Sequence, residues 1–293
     1  AFRTSDLIID NVKKAPYQTK TTDKSESQTE MLQKLELKKE QYIELKEYCE
    51  SKNIIFLITP FDETSLIELE EIGVVAYKVA STDTTNLPFL KKIAQTKKPI
   101  FLSTGMTYLD EIELALKEMH EFNKDVVLMQ CTANYPINDN EANLNVINTF
   151  QNKFDILSGY SDHSVGIGAA PYALPMGVCM IEKHFTINKE DKGPDHLASL
   201  SPEELKELVV EVRRIEQYLG SFEKKPTASE SKTRKSLQKN LVAKTVIPKG
   251  TVLSDANVIA KRTGGEGISP IEYKQVFGTT AIKDFNANDI ITL

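Results

Sequence analysis

Short apolar runs alternate with amphipathic stretches from residue 53 to about residue 220. The runs are rich in β-branched residues, and apolar residues recur at helical spacing between them, which is typical of a parallel sheet covered by helices. Helices are predicted at residues 38–51 and 110–122, the latter with Ile112, Leu114, Leu116 and Met119 partly on one face. The predicted strands are residues 54–59, 75–80, 99–104, 126–131, 156–160 and 178–184.

Six strand-and-helix units are too many for a small α/β domain and two short of an eight-stranded barrel. We therefore predict that residues 1–222 form a TIM (β/α)₈ barrel whose first two βα units precede Ala1 and are absent from this chain. The same periodicity allows a doubly wound open sheet as the alternative.

A second domain is predicted after the barrel. Residues 223–238 are rich in Lys, Ser and Thr and have no core periodicity, which indicates a linker. Residues 239–293 form a compact module rich in strands and turns. Because so short a module buries little core alone, we expect it to dock onto another surface.

Composition narrows the class of protein. The net charge is −6, which argues against a nucleic-acid partner. The three cysteines, Cys49, Cys131 and Cys179, form no CxxC spacing, which favours reduced thiols in a cytoplasm. The opening residues form no signal peptide, and the longest apolar run, 167–181, is too short to cross a bilayer. We predict a cytoplasmic protein without a membrane or nucleic-acid partner.

Residues that do chemistry cluster at the ends of the predicted strands. Ser161 and His163 lie two apart on one strand, and Glu182 and His184 lie two apart on the next, so each pair shares a face. Two imidazoles beside a carboxylate are a ligand set for a divalent metal ion with open coordination positions. Lys78 and the hydroxyls at the other strand ends would form a phosphate or oxyanion cradle. Each residue alone could equally be a helix cap or a core residue, but the joint pattern favours a site.

At these strand ends the chain resembles the bacterial sialic acid synthases, the family of N-acetylneuraminate and N,N'-diacetyllegionaminate synthases. The segments that carry the resemblance are KAPYQ (14–18), ESQ (26–28), TPFD (59–62), NLP (86–88), LSTGM (102–106), YSDH (160–163), IEKHFT (181–186) and GPDH (193–196). The tail, through GISP (267–270) and VFG (276–278), resembles the antifreeze-like (SAF) domain of that family.

The resemblance implies an enzyme that condenses phosphoenolpyruvate with an N-acetylated amino sugar such as N-acetylmannosamine and releases phosphate. It implies Mn²⁺ or Mg²⁺ as cofactor, held by His163 and His184, and a domain-swapped homodimer in which Arg262 reaches the partner subunit's site. Catalytic roles would fall to Asp83, Tyr135 and Glu182, with Asp195 also facing the sugar. Phosphoenolpyruvate would be bound by Thr59, Lys78, Ser81, Ser103 and Ser161.

The chain departs from the family pattern at several positions. Ser81-Thr82-Asp83 replaces the usual Ser-Gly-Glu, and Ala133 stands where a polar side chain is usual. The family's strands that supply a catalytic Glu, a phosphate-binding Lys and a sugar-binding Gln would precede Ala1. Two rival functions stay open: another condensation of phosphoenolpyruvate with an aldehyde, and a non-catalytic protein that binds sugar phosphates.

Overall fold

A parallel sheet forms the centre of the first part of the chain, in a computed structural model that describes residues 1–9, 12–15, 18–23 and 25–293. Within these residues the sheet has five strands in the order β1-β2-β3-β4-β5. They are β1 (Tyr77–Val79), β2 (Ile100–Ser103), β3 (Val126–Cys131), β4 (Ser158–Asp162) and β5 (Met180–Lys183). A doubly wound sheet reverses its strand order at a switch point, so this sequential order excludes that alternative.

The sheet is curled. Lys78 lies on β1 and Glu182 on β5, at opposite edges of the sheet, yet the Lys78 Nζ is 3.2 Å from a Glu182 carboxylate oxygen. In a flat sheet, neighbouring strands lie about 4.8 Å apart, which would separate these two backbones by roughly 19 Å, beyond the reach of the two side chains. The strands therefore follow the arc of a (β/α)₈ barrel, and the predicted fold class is confirmed.

Helices cover the outside of the arc. The predicted helices at 38–51 and 110–122 are confirmed, and a capping box of Ser201 and Glu204 begins the last helix of this unit. In the described parts of the chain, no helix is both long and apolar enough to cross a membrane. The helices of this unit are α1 (Thr4–Leu7), α2 (Gln18–Thr21), α3 (Gln28–Leu35), α4 (Lys39–Ser51), α5 (Glu63–Ile72), α6 (Leu87–Gln95), α7 (Leu109–His120), α8 (Val146–Phe154), α9 (Ala170–Ala173) and α10 (Pro202–Leu219).

The predicted strand at residues 54–59 is not a strand. The segment forms neither helix nor strand; Phe56 and Ile58 pack against the core, but Ile54 and Ile55 are exposed. A strand requires a ladder of backbone hydrogen bonds, and β1 is bonded only to β2 in the described residues. The β-branched composition therefore predicted a strand that has no pairing partner among the described residues. Pro16 and Tyr17, part of the first segment quoted above, lie outside the described residues.

The described residues divide into two units, Ala1–Gly220 and Ser221–Leu293. In the second unit, α11 (Ala228–Leu237) lies inside the segment predicted as a linker, and all of its residues are exposed. Antiparallel strands β6 (Lys239–Ala243) and β7 (Val258–Arg262) follow, and then α12 (Tyr273–Val276). Leu241, Leu253 and Phe285 are among the buried residues of a separate small core.

Candidate active site

A carboxylate, a hydroxyl and an ammonium meet inside the curl of the sheet. The parallel register places Ser161 of β4 opposite Glu182 of β5, and the Ser161 hydroxyl donates a 2.6 Å hydrogen bond to Glu182 Oε2. The same oxygen faces the ammonium of Lys78 at 3.2 Å. Because Lys78 is only 7% exposed, its charge needs a partner, and Glu182 provides one. An anion that entered here would find a hydroxyl and a buried cation already converging on one point.

Two imidazoles follow directly after β4 and β5. The ring centroids of His163 and His184 are 5.2 Å apart, and the ring of Tyr135 lies 4.1 Å from the first and 5.2 Å from the second. His163 Nδ1 is 2.8 Å from the carbonyl of Thr132, which can only accept, so Nδ1 carries the proton and Nε2 keeps its lone pair. Burial lowers the pKa of His163 to about 4, so this ring is neutral at pH 7.

The two rings fit the role of metal ligands. A neutral imidazole whose second nitrogen donates to a carbonyl is the form that binds metal ions in proteins. Across the described part of the chain, no group of three or more His, Cys, Asp or Glu residues is arranged to hold a metal ion. The chain therefore offers two imidazoles, and oxygen atoms of water or substrate would have to complete the shell.

Asp195 lies beside the second imidazole. Its Oδ2 is 3.9 Å from His184 Nδ1. Its Oδ1 is buried and, among the described residues, has no hydrogen-bond partner. Burial raises the pKa of this carboxyl, an effect that His184 partly opposes. An unsatisfied buried oxygen beside an imidazole is a group that a bound molecule could satisfy.

Two serine hydroxyls, one just after β1 and one at the end of β2, approach the same region. Ser103, at the end of β2, is 1% exposed, and its Oγ has no hydrogen-bond partner in the part of the chain that the structure describes. Ser81 accepts a 2.9 Å hydrogen bond from the N–H of Gly105. A Cβ at Gly105 would stand 2.9 Å from the Ser81 hydroxyl and 3.1 Å from the backbone N of Ala133. Glycine at 105 therefore lets three strand ends crowd together.

Not every predicted residue joins this cluster. Asp83 is buried, which raises its pKa, and its carboxylate accepts from Asn86 and Thr82. The carbonyl of Thr59 accepts from the amino group of Ala1. Within the described residues, no hydrogen bond or ion pair joins Asp83 or the Thr59 side chain to the cluster. Arg262 ends β7 in the second unit, and its side chain is exposed.

Cys131 belongs to the cluster but was not predicted. Its Sγ lies 3.6 Å from the Ser81 hydroxyl and 3.9 Å from His163 Nδ1, and burial raises the pKa of the thiol. Cys131 is the last residue of β3 and is in register with Ser161 of β4. Its position at a strand end could have identified Cys131 as a site residue, because the other site residues also lie at strand ends. The role of the Thr132 carbonyl in orienting His163 could not be predicted from the sequence, since every residue type has a backbone carbonyl.

Both parts of the chain match families of known proteins. Residues 1–224 match the NeuB family, and residues 240–293 match the SAF domain. The chain belongs to the NeuB family. The resemblance to the sialic acid synthases that the strand-end motifs indicated is thereby confirmed.

Two relatives and one solved structure similar to this NeuB-family chain are named as synthases or a synthetase. The N,N'-diacetyllegionaminic acid synthase of Campylobacter jejuni is 42% identical over 99% of this chain and 88% of its own length. The enzyme of the same name from Legionella pneumophila is 38% identical over 98% of this chain and 82% of its own. The crystal structure of N-acetylneuraminic acid synthetase from Leptospira borgpetersenii, in complex with citrate, is also similar. Its sequence is 37% identical, the alignment covers 71% of this chain and 74% of that chain, and the TM-score is 0.67.

Proposed function

We propose that this chain condenses phosphoenolpyruvate with the open-chain aldehyde form of an N-acetylated amino sugar, and that water adds to the condensed intermediate so that phosphate is released. The observation that carries the proposal is the convergence of Lys78, Ser161 and Glu182 beside the His163–His184 pair, at the carboxyl ends of the barrel strands. In TIM barrels this end of the strands holds the active site.

The phosphoenolpyruvate end of the site is built from a buried cation and hydroxyls. Lys78 supplies a compact positive charge, and a charge-assisted hydrogen bond to phosphate is stronger than a neutral one. Ser103 supplies a buried hydroxyl that has no partner among the described residues and would gain one from a phosphate or carboxylate oxygen. Glu182 would compete with the incoming anion for Lys78 and Ser161, so its carboxylate becomes available to the sugar when the anion binds. The proposed role of Glu182 toward the sugar follows from this exchange.

The aldehyde end is built from His163 and His184. A bound Mn²⁺ or Mg²⁺ would act as a Lewis acid that polarises the aldehyde oxygen of the sugar. The chain keeps His163 neutral by burial and fixes its ring through the carbonyl of Thr132. Tyr135 packs against both imidazoles and limits their rotation, while Asp195 offers an unsatisfied oxygen to a sugar hydroxyl. These residues orient the carbonyl carbon toward the enol carbon, so that proximity lowers the barrier to carbon–carbon bond formation.

The assembly we propose is a homodimer in which Arg262 of one subunit reaches the site of the other. Arg262 is exposed at the end of β7, and a guanidinium suits a carboxylate or polyol ligand. Mixing an Arg262→Ala chain with a His184→Ala chain should then restore one working site per heterodimer. If verified heterodimers stay inactive, Arg262 does not act across subunits.

The proposed reaction is tested by phosphate release from phosphoenolpyruvate with a panel of aldehyde sugars and Mn²⁺. N-acetylmannosamine and an acceptor with a second acetamido group should support turnover. The second acceptor is included because two relatives are named as N,N'-diacetyllegionaminic acid synthases. Turnover only with a five-carbon sugar phosphate would favour the rival condensing enzyme. Calorimetric binding of phosphoenolpyruvate without turnover of any sugar would favour a non-catalytic binding protein.

A further inference from the structure

A buried ion pair lies directly behind the two imidazoles. Asp162 of β4 is in register with Lys183 of β5, and the two residues immediately precede His163 and His184. Because side chains alternate along a strand, this pair projects to the face opposite Ser161 and Glu182, toward the helices. Lys183 Nζ is 2.9 Å from Asp162 Oδ2, and the side chains are 3% and 0% exposed.

Both groups are saturated with hydrogen bonds. One Asp162 oxygen accepts from the backbone N–H and the hydroxyl of Ser164, at 2.9 and 2.7 Å, and from the Tyr160 hydroxyl at 3.2 Å. The other accepts from the N–H of Ala170 at 3.1 Å as well as from Lys183. Lys183 also donates to the Ser164 carbonyl at 2.6 Å. No part of either charge is left for a ligand, so the pair itself is not a binding site.

The network fixes the loop that leaves the first imidazole. The Ser164 hydroxyl, besides donating to Asp162, accepts from the N–H of Ala169. Gly168 has a φ of +46°, and a Cβ there would lie 1.8 Å from the Ser164 hydroxyl. Glycine at 168 thus permits the loop to fold back onto the strand end. As a result, the backbone on both sides of His163 is tied to the backbone that precedes His184.

We infer that the Asp162–Lys183 pair is a positioning device that sets the separation and orientation of the His163 and His184 rings. The expected effect on metal binding rests on the proposed function, because two imidazoles bind one metal ion only if their spacing is fixed. Stability alone is a weak reason for such a pair, since replacing a buried ion pair by apolar groups of similar volume is often neutral. Altering groups that hydrogen-bond to metal ligands typically changes metal affinity 10- to 100-fold, and a pair tied to the backbone of both ligands should act in the same direction.

The test is the double variant Asp162→Asn/Lys183→Met in the full chain. The two changes together keep the net charge and approximate volumes, so neither a lone buried charge nor a large cavity remains. We expect the Mn²⁺ dissociation constant, measured by electron paramagnetic resonance of free Mn²⁺, to rise about tenfold or more. Long-range ¹H–¹⁵N spectra of the metal-free protein should show altered ring signals for both His163 and His184.

Leu116→Ala is the matched control. Leu116 is buried on α7 in a different apolar cluster, which also holds Leu90 and Ile93, so its loss should lower the urea midpoint without touching the ion pair. The control should keep wild-type Mn²⁺ affinity and ring signals. If it weakens Mn²⁺ binding as much as the double variant does, the effect is general destabilisation and the inference is wrong.

Two further outcomes are decisive. Wild-type affinity and unchanged ring signals in the double variant would overturn the inference. If the wild-type protein binds no Mn²⁺, the proposed metal role fails, and the ring signals alone then judge whether the pair positions the imidazoles. Should the double variant not fold, Ser164→Ala keeps both charges and removes their shared hydroxyl. That variant should show the same changes in smaller degree, and its failure to do so would equally reject the inference.

Discussion

The two faces of the β4–β5 strand pair have opposite hydrogen-bonding character. On the helix-facing side, Asp162 and Lys183 satisfy every charge with short contacts and exclude water. On the inner side, Glu182 holds both Lys78 and Ser161 with one oxygen. Nearby, Ser103 and Asp195 each keep a buried oxygen that has no partner in the described residues.

The saturated face supports the fold, whereas the face with unsatisfied groups is suited to bind a ligand. A saturated polar network is rigid, and its geometry is the same whether or not a ligand is present. Buried groups without partners are costly in the free protein and are kept where a ligand later satisfies them. Changes on the inner face should therefore cost activity more than stability. Satisfied groups that are not tied to the two imidazoles should cost stability more than activity.

The largest effect is expected from the imidazoles. His163→Ala or His184→Ala should lower kcat by about 10³-fold, because Lewis-acid activation of the aldehyde contributes several kcal/mol. The measurement is phosphate release with saturating Mn²⁺. His120→Ala is the control, since His120 lies in α7 outside the cluster and its loss should leave kcat unchanged. Equal losses in all three variants would contradict the assignment.

The next effect concerns the buried ammonium. Lys78→Ala should raise the KM for phosphoenolpyruvate about tenfold or more, because a hydrogen bond to a charged group contributes about 1.5–3 kcal/mol. The KM for the sugar should change less. Lys91→Ala is a matched control, because Lys91 pairs with Glu118 on the helical surface. An unchanged phosphoenolpyruvate KM in the Lys78 variant would assign this lysine a structural role.

Much of this site could be predicted from strand ends alone. Ser161, His163, Glu182 and His184 were identified by their two-residue spacing, because alternation along a strand is a local rule. Asp83 was assigned a catalytic role by resemblance, yet within the described residues its carboxylate contacts its own turn through Thr82 and Asn86. The spacing of residues along a strand does not predict which neighbouring residue a side chain contacts.

The long-range features could not be predicted. The contact between Lys78 and Glu182 joins residues 104 positions apart and depends on the curl of the whole sheet. The sequence gives Lys183 no role beyond its place in the IEKHFT motif, since a lysine at a strand end is more often exposed than buried. Its burial depends on α9 and the loop before it closing over the strand end, which no local pattern reports.

A smaller effect should distinguish an orphan hydroxyl from a satisfied one. Ser103→Ala removes a buried oxygen that has no partner in the described residues, so the urea midpoint should stay or rise while the KM for phosphoenolpyruvate rises about fivefold. Thr84→Val removes a hydroxyl that donates to the Ser103 carbonyl at 2.7 Å, so it should cost about 1–2 kcal/mol of stability. The opposite result, with Ser103→Ala the less stable protein and the KM unmoved, would show that Ser103 is structural.

The smallest effect concerns Asp83 and its pH dependence. Burial raises the pKa of this carboxyl, so the folded state binds its proton more tightly than the unfolded state does. The ionised form therefore costs stability above the raised pKa. The cost declines as the pH falls below that value and is gone once the pH is below the pKa of the unfolded state. Asp83→Asn removes that cost while keeping an oxygen for Asn86. The variant should melt about 2 °C higher than the wild type at pH 7, and the difference should shrink on acidification.

Activity sharpens this last test. If Asp83 has the catalytic role that the family resemblance assigns, the Asn variant should be more stable and less active at the same time, as is usual for a strained functional group. Thermal scans from pH 4 to pH 8, with phosphate release measured on the same samples, separate the two effects. A variant that is less stable than the wild type at pH 7 would show that the contacts from Thr82 and Asn86 outweigh the burial of the carboxylate. In that case Asp83 would be a structural residue of its turn, and, like Asp162 and Lys183, it would be satisfied by its own hydrogen bonds.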